Sequence, residues 1–222
     1  CASSLVRAGV TPVLIDSNPL TWNMNVELIE EAITRKTRAI MVVHTYGLPV
    51  DMAPVMSIAE KYGLKIIEDA AQAIGLTCYG RPCGSFGEVS TFSFYPNKFI
   101  TTGEGGMVVC DDDDLAAHSK SLRNLCFQET RRFVHEELGW NYRMSNLQAA
   151  VGVAQLENLS THLKKTRRMG LYYRSLLSEC PGVDLPPADQ EYADNYYWVF
   201  GLLLQDRVEK TTDQVMSDLR KL

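Results

Sequence analysis

Residues 38–69 read RAIMVVHTYGLPVDMAPVMSIAEKYGLKIIED. Arg38 to Val43 is a continuous apolar run, the kind buried on both faces of a sheet. Asp51 to Tyr62 has the amphipathic spacing of a helix, and Gly63 is placed to stop it. Lys65 to Asp69 is a second short strand. Strand, helix and strand in that order form a right-handed crossover and predict an α/β fold with a largely parallel sheet.

The alternation continues on both sides. Upstream, Cys1 to Gly9 reads as a helix closed by its glycine, Thr11 to Asp16 as a short strand, and Asn25 to Ile33 as a helix. Downstream, Val89 to Phe94 and Met107 to Cys110 extend the sheet. Asp112 to Arg123 is a helix with acidic residues in its first turn, where the macrodipole favours them. Residues 124–144 form a long mixed-charge loop, and loops of that length are usually functional. Ser145 to about Cys180 reads as one helical stretch, with Leu147, Val151, Ala154 and Leu159 at roughly helical spacing. Pro181-Gly182 and Pro186-Pro187 break the chain. Tyr196 to Leu204 is the expected strand of a smaller second domain, and Thr212 to Leu222 a closing helix. The expected organisation is a large domain over 1–145, a connecting helix over 146–180 and part of a small domain over 181–222.

The 222 residues are 45% apolar and 22% charged, ordinary for a globular protein. A formal net charge of −5 argues against a nucleic-acid partner. No apolar run approaches the roughly 18 residues of a membrane span, and no signal peptide is evident. None of the six cysteines forms a CxxC pair, and Cys78 with Cys83 has the wrong spacing for zinc. Free thiols in a reducing cytoplasm are the simplest account. Asp111 to Asp114 reads as a helix cap, and no metal site is expected. The chain opens without methionine inside a helical pattern and ends inside another, as a fragment of a longer enzyme would.

Lys98 closes the run Val89-Ser90-Thr91-Phe92-Ser93-Phe94-Tyr95-Pro96-Asn97-Lys98, and the flexible Thr101-Thr102-Gly103-Glu104-Gly105-Gly106 follows. A lysine there either snorkels to solvent or is desolvated, and a desolvated amine is a nucleophile toward carbonyls. Asp69 ends an apolar strand, where open parallel sheets gather ligands. A lysine forming a Schiff base and an aspartate facing a pyridinium nitrogen are the two protein contributions to pyridoxal phosphate chemistry. His44 invites an acid–base role, but a histidine satisfied at a strand end is the preferred reading. Arg143 fits a structural role or a substrate anion. The glycine-rich segment lacks GxGxxG and is no dinucleotide fingerprint.

Glu68-Asp69-Ala70-Ala71-Gln72-Ala73-Ile74-Gly75, Gly84-Ser85-Phe86-Gly87, Phe92-Ser93-Phe94-Tyr95-Pro96-Asn97-Lys98 and Gly103-Glu104-Gly105-Gly106 resemble, in that order, the DegT/DnrJ/EryC1/StrS family. Val43-His44-Thr45-Tyr46-Gly47 and Gly139-Trp140-Asn141-Tyr142-Arg143-Met144 match it too. The resemblance implies the aspartate aminotransferase fold (fold type I) with pyridoxal 5'-phosphate as cofactor. It implies Lys98 as the Schiff-base lysine and Asp69 as the pyridinium partner. Gln72 would lie near the ring, Ser93 at the phosphate, and Asn141 at the phosphate of the neighbouring subunit's cofactor in a homodimer. An upstream glycine-threonine phosphate loop and a ring-stacking aromatic residue would precede Cys1, so this stretch alone is expected to bind the cofactor weakly. Phe99 to Met107, and Arg131-Arg132-Phe133 ahead of Gly139, are similar to perosamine synthases. That similarity implies amino transfer from glutamate to the C4 ketone of GDP-4-keto-6-deoxymannose. Another keto nucleotide sugar, or a non-catalytic homologue, are the alternatives.

Overall fold

The computed structural model describes residues 1–128, 130–135 and 137–221. Helix α1 (Ala2–Arg7) forms as expected, and Gly9 follows with φ 78°. Thr11 to Asp16 does not form its expected strand. No partner strand lies beside it among the described residues, and its Val13 and Leu14 are 66% and 79% exposed. A strand's backbone groups need a neighbour to bond, so the apolar pattern alone cannot make one. A turn of 3-10 helix at Val26–Leu28 leads into α2 (Ile29–Ala32).

β1 (Ala39–Val43) and β2 (Lys65–Asp69) pair in parallel, from Ala39 opposite Lys65 to Val43 opposite Asp69. Between them runs α3 (Met52–Tyr62), capped by the Asp51 side chain and closed by Gly63 at φ 63°. Only glycine takes that left-handed φ without strain. Met52, Val55 and Ala59 of α3 pack with Ile40, Val42 and Ile66 of the sheet. Each of the larger aliphatic side chains contributes roughly 1.5–3 kcal/mol on burial.

A small hairpin, β3 (Thr77–Cys78) with β4 (Arg81–Pro82), precedes β5 (Val89–Ser93), which is parallel to β2. β6 (Gly106–Val109) returns antiparallel to β5. The order β1-β2-β5-β6 is therefore the expected mixed, mostly parallel sheet. The carboxyl ends of its three parallel strands lie along one edge. α4 (Asp113–Arg123) follows, capped by Asp112.

The helical stretch expected over 145–180 is two helices, α5 (Asn146–Glu157) and α6 (Leu159–Leu177). They break at Asn158, at φ −103° and ψ 6°, whose side-chain amide donates to the Ala154 carbonyl. A short polar side chain that competes for helix carbonyls favours such a break. The strand expected over Tyr196 to Leu204 shrinks to β8 (Leu203–Leu204), antiparallel to β7 (Val183–Asp184). Tyr197, at φ 51°, cannot lie in a strand. α7 (Thr212–Leu219) closes the described chain. The 124–144 loop is irregular, pinned by single bridges between Asn124 and Asn141 and between Phe127 and His135. Its Glu129 and Glu136 lie outside the described residues, as does Leu222. No helix among the described residues is long and apolar enough to cross a membrane.

Candidate active site

Alternation along β2 sends its last two carboxylates to opposite faces. Glu68 points inward with Ile66 and is fully buried. Asp69 points the other way, opposite Thr91 in register, and two residues further along β5 Ser93 shares that face. One face is buried in the core and the other opens toward the turn that carries Lys98.

On the inner face, Glu68 is the hub of a polar network. Its Oε1 accepts from His44 Nε2 at 2.8 Å and from the backbone N–H of Gly84. Its Oε2 accepts from Phe86 N at 2.9 Å, Ser90 Oγ at 3.3 Å and Gly87 N at 3.4 Å. Burial alone would raise the Glu68 pKa, but the His44 and Gly84 hydrogen bonds outweigh it and hold the carboxyl below its usual range. His44 Nδ1 accepts from Val50 N at 3.0 Å, so Nε2 carries the proton it gives to Glu68. The preferred reading of His44 as a satisfied histidine holds, since both ring nitrogens are occupied. The donor atoms of His44, Glu68 and Cys83 lie within 4.8 Å of one another, a spacing that would suit a metal ion. The His44 and Glu68 lone pairs already serve these hydrogen bonds, however.

On the outer face, Asp69 Oδ1 accepts from Ala71 N at 3.0 Å, which turns the chain away from the strand. Among the described residues its Oδ2 takes only the weak thiol donor of Cys1, at 2.8 Å. Lys98 sits in a turn in which its N–H bonds the Tyr95 carbonyl, with Phe99 and Ile100 buried just beyond as anchors. Burial draws the Lys98 amine below its ordinary pKa, and the Asp69 carboxylate pulls it upward without cancelling that effect. Lys98 is thus the desolvated lysine of the two sequence readings, and Asp69 is near enough to act on it. Its Nζ lies 3.8 Å from the centroid of the Trp198 ring.

Gln72 Oε1 accepts from Tyr46 N at 2.6 Å, which fixes the side chain and leaves its amide N–H groups to donate. Ser93 Oγ accepts from Tyr95 N at 3.3 Å and keeps its own O–H. Asn141 bonds within its own loop, where its Oδ1 accepts from Arg143 Nε at 3.1 Å. The fold therefore gathers Asp69, Gln72, Ser93 and Lys98 along the carboxyl edge of the sheet. It places Asn141 and Arg143 in the exposed loop.

Glu68 and Trp198 were not anticipated as contributors. Glu68 had a signal, because alternation within Lys65-Ile66-Ile67-Glu68-Asp69 puts it on the buried face with Ile66. Trp198 had none, since it reaches Lys98 only through the tertiary fold.

An Asp69 oxygen held by a weak thiol donor can accept the N–H of a pyridinium ring. A part-buried lysine under its electrostatic influence can attack an aldehyde, and an amide fixed through its oxygen can donate to a phenolic oxygen. The residues present fit pyridoxal phosphate, and the fold is that of the aminotransferases. The chain belongs to the DegT/DnrJ/EryC1/StrS aminotransferase family, which it matches over residues 1–222. It is 42% identical over 221 residues to the GDP-perosamine synthase of Caulobacter vibrioides, covering 100% of this chain and 60% of that protein. It is 39% identical over 208 residues to the GDP-perosamine synthase of Escherichia coli O157:H7, covering 94% of this chain and 56% of that one. The solved structure of S. venezuelae DesV in complex with ketimine intermediate superposes with a TM-score of 0.87 at 34% identity. That match covers 100% of this chain and 58% of DesV. The chain thus spans between 49% and 60% of the length of these and other curated relatives it matches.

Proposed function

We propose that the protein carrying this chain is a pyridoxal-phosphate-dependent aminotransferase. It moves an amino group from glutamate to GDP-4-keto-6-deoxymannose, giving GDP-perosamine, in the cytoplasm. The juxtaposition of Lys98 and Asp69 supports the chemistry, and the two GDP-perosamine synthases support the sugar.

When bound, pyridoxal phosphate supplies a sink for the electron pair released as a substrate C–H bond breaks. Asp69 keeps a negative charge at the ring nitrogen and so favours its protonated form. Lys98 Nζ, poorly hydrated, takes the proton from one carbon and returns it to another as general base and acid. Gln72, braced by Tyr46, donates to the ring oxygen, and the Ser93 hydroxyl donates to the phosphate. Asn141, on its exposed loop, reaches the phosphate bound by a second copy of the chain in a homodimer.

The deciding assay incubates the whole protein with glutamate and a panel of 4-keto and 3-keto nucleotide sugars, with products read by mass. GDP-4-keto-6-deoxymannose is expected to exchange its ketone oxygen for an amino group. Turnover confined to a 3-keto, UDP- or dTDP-sugar refutes the GDP-perosamine reading.

Asp69→Asn is expected to retain some cofactor and lose about 10²-fold in transamination rate. Wild-type turnover in this variant would exclude an electrostatic role for Asp69. A mixing experiment tests the shared site. Lys98→Ala and Asn141→Ala proteins, each inactive, are expected to regain part of the activity when co-refolded, because some dimers then hold one intact site. No recovery would place Asn141 outside the partner's site.

A further inference from the structure

The segment that carries Trp198 is tied down on both sides. Arg167 on α6 grips Asp189 through two parallel hydrogen bonds, at 2.9 and 2.7 Å, and donates to the Asn195 carbonyl at 2.9 Å. Asn195 is buried, and its side-chain oxygen accepts from Tyr197 N at 2.8 Å. Tyr197 packs so closely on α6 that a Cβ on Gly170 would lie 2.3 Å from its ring. Flanking Trp198, Tyr196 N bonds the Gly47 carbonyl at 2.8 Å and Val199 N bonds the Tyr46 carbonyl at 3.4 Å. Tyr46 is also the residue that braces Gln72.

These anchors leave Trp198 little freedom. Its indole N–H donates to the Asn97 carbonyl at 2.7 Å, one residue before Lys98, and its ring face lies against the Lys98 amine. A lysine stem has about 2 kcal/mol of rotamer entropy and normally extends into water. Here it is held over an aromatic face, an arrangement that attracts a cation while excluding solvent from it.

We propose that Trp198 is the positioning residue of Lys98: its indole face holds the Nζ and keeps water from it, and its N–H fixes the turn that carries the lysine. An amine that gives up and retakes a proton must stay near the reacting carbon without becoming hydrated, and the indole meets both needs. This rests on the reading of Lys98 as the reacting amine.

The test is read on cofactor-free whole protein. Trace amine acetylation is carried out across a pH series, and the Lys98 peptide is quantified by mass, with exposed Lys36 as internal reference. The pH midpoint reports proton affinity and the plateau reports access. Trp198→Ala removes the indole and opens its place to water; the Lys98 midpoint is expected to rise by about 0.5 pH unit or more, the returning water outweighing the lost attraction of the ring. Trp198→Phe keeps an aromatic face and is expected to restore the wild-type midpoint, with Lys36 unchanged throughout. If Trp198→Ala fails to fold, Trp198→Ser carries the same expectation. An unmoved or lowered midpoint in the folded small-residue variant, or an equal rise in Trp198→Phe, overturns the proposal. Cofactor absorbance in wild type separates the two readings. A midpoint that moves as expected in a protein that never attaches cofactor refutes the aminotransferase reading and leaves the lysine–indole pair standing. Attachment without any shift overturns the pair alone.

Discussion

Lys98→Ala is expected to abolish the absorbance of covalently held cofactor in the whole protein and to lower transamination by at least about 10⁴-fold. The expectation follows from position. Lys98 Nζ lies under the electrostatic influence of Asp69 and against the ring of Trp198. Its lowered proton affinity gives it more free amine at neutral pH than an exposed lysine has, and only free amine attacks a carbonyl. Lys98→Arg is expected to be equally inactive, because a guanidinium keeps its charge and its protons. Both variants should fold, with stability changes within about 1 kcal/mol, since the side chain is only part-buried. An unchanged absorbance band in Lys98→Ala would refute the assignment, because it would mean another amine holds the cofactor.

What was legible in the sequence is what local physics decides. The crossover over 38–69 was readable because its apolar runs, the Asp51 cap and the Gly63 stop all act within a few residues of themselves. Asp69 was readable because a strand end fixes where its side chain emerges; Lys98 lies in a turn five residues beyond β5, and its pairing with Asp69 pointed to one cofactor before any resemblance was weighed. Three elements were misread for a shared reason. Thr11 to Asp16 has the composition of a strand but no neighbour to pair with among the described residues. Ser145 to Cys180 has helical spacing throughout, yet one asparagine amide breaks it. Tyr196 to Leu204 is apolar enough for a strand, yet the Arg167, Asp189 and Asn195 hydrogen bonds bend it into a strap. Periodicity records which face is apolar; it does not record whether a partner exists or whether side chains capture the backbone. Trp198 is the extreme case, since its contact with Lys98 depends on α6 and on the turn after β1 together.

Glu68→Leu is expected to destabilise the protein by about 3–5 kcal/mol, although Glu68 does no chemistry. The substitution strands the donors of His44 Nε2, Gly84 N, Phe86 N and Ser90 Oγ in a site that water does not reach. Glu68→Gln keeps one acceptor oxygen but turns an amide N–H₂ toward backbone donors, and should cost about 1–3 kcal/mol. Urea unfolding at pH 7 measures both, and a loss under about 1 kcal/mol for Glu68→Leu would show that the network contributes little net stability. The pH dependence tests the charge itself. Because the folded pKa of Glu68 lies below its unfolded value, its contribution is fully present above the unfolded carboxyl pKa, about 4.3, and fades as pH falls through the folded one. The stability gap between wild type and Glu68→Leu should therefore hold steady from pH 7 to about 5 and narrow below about 4. A gap that persists unchanged into strong acid would mean that shape, rather than the carboxylate's charge, holds the 84–87 loop against β2.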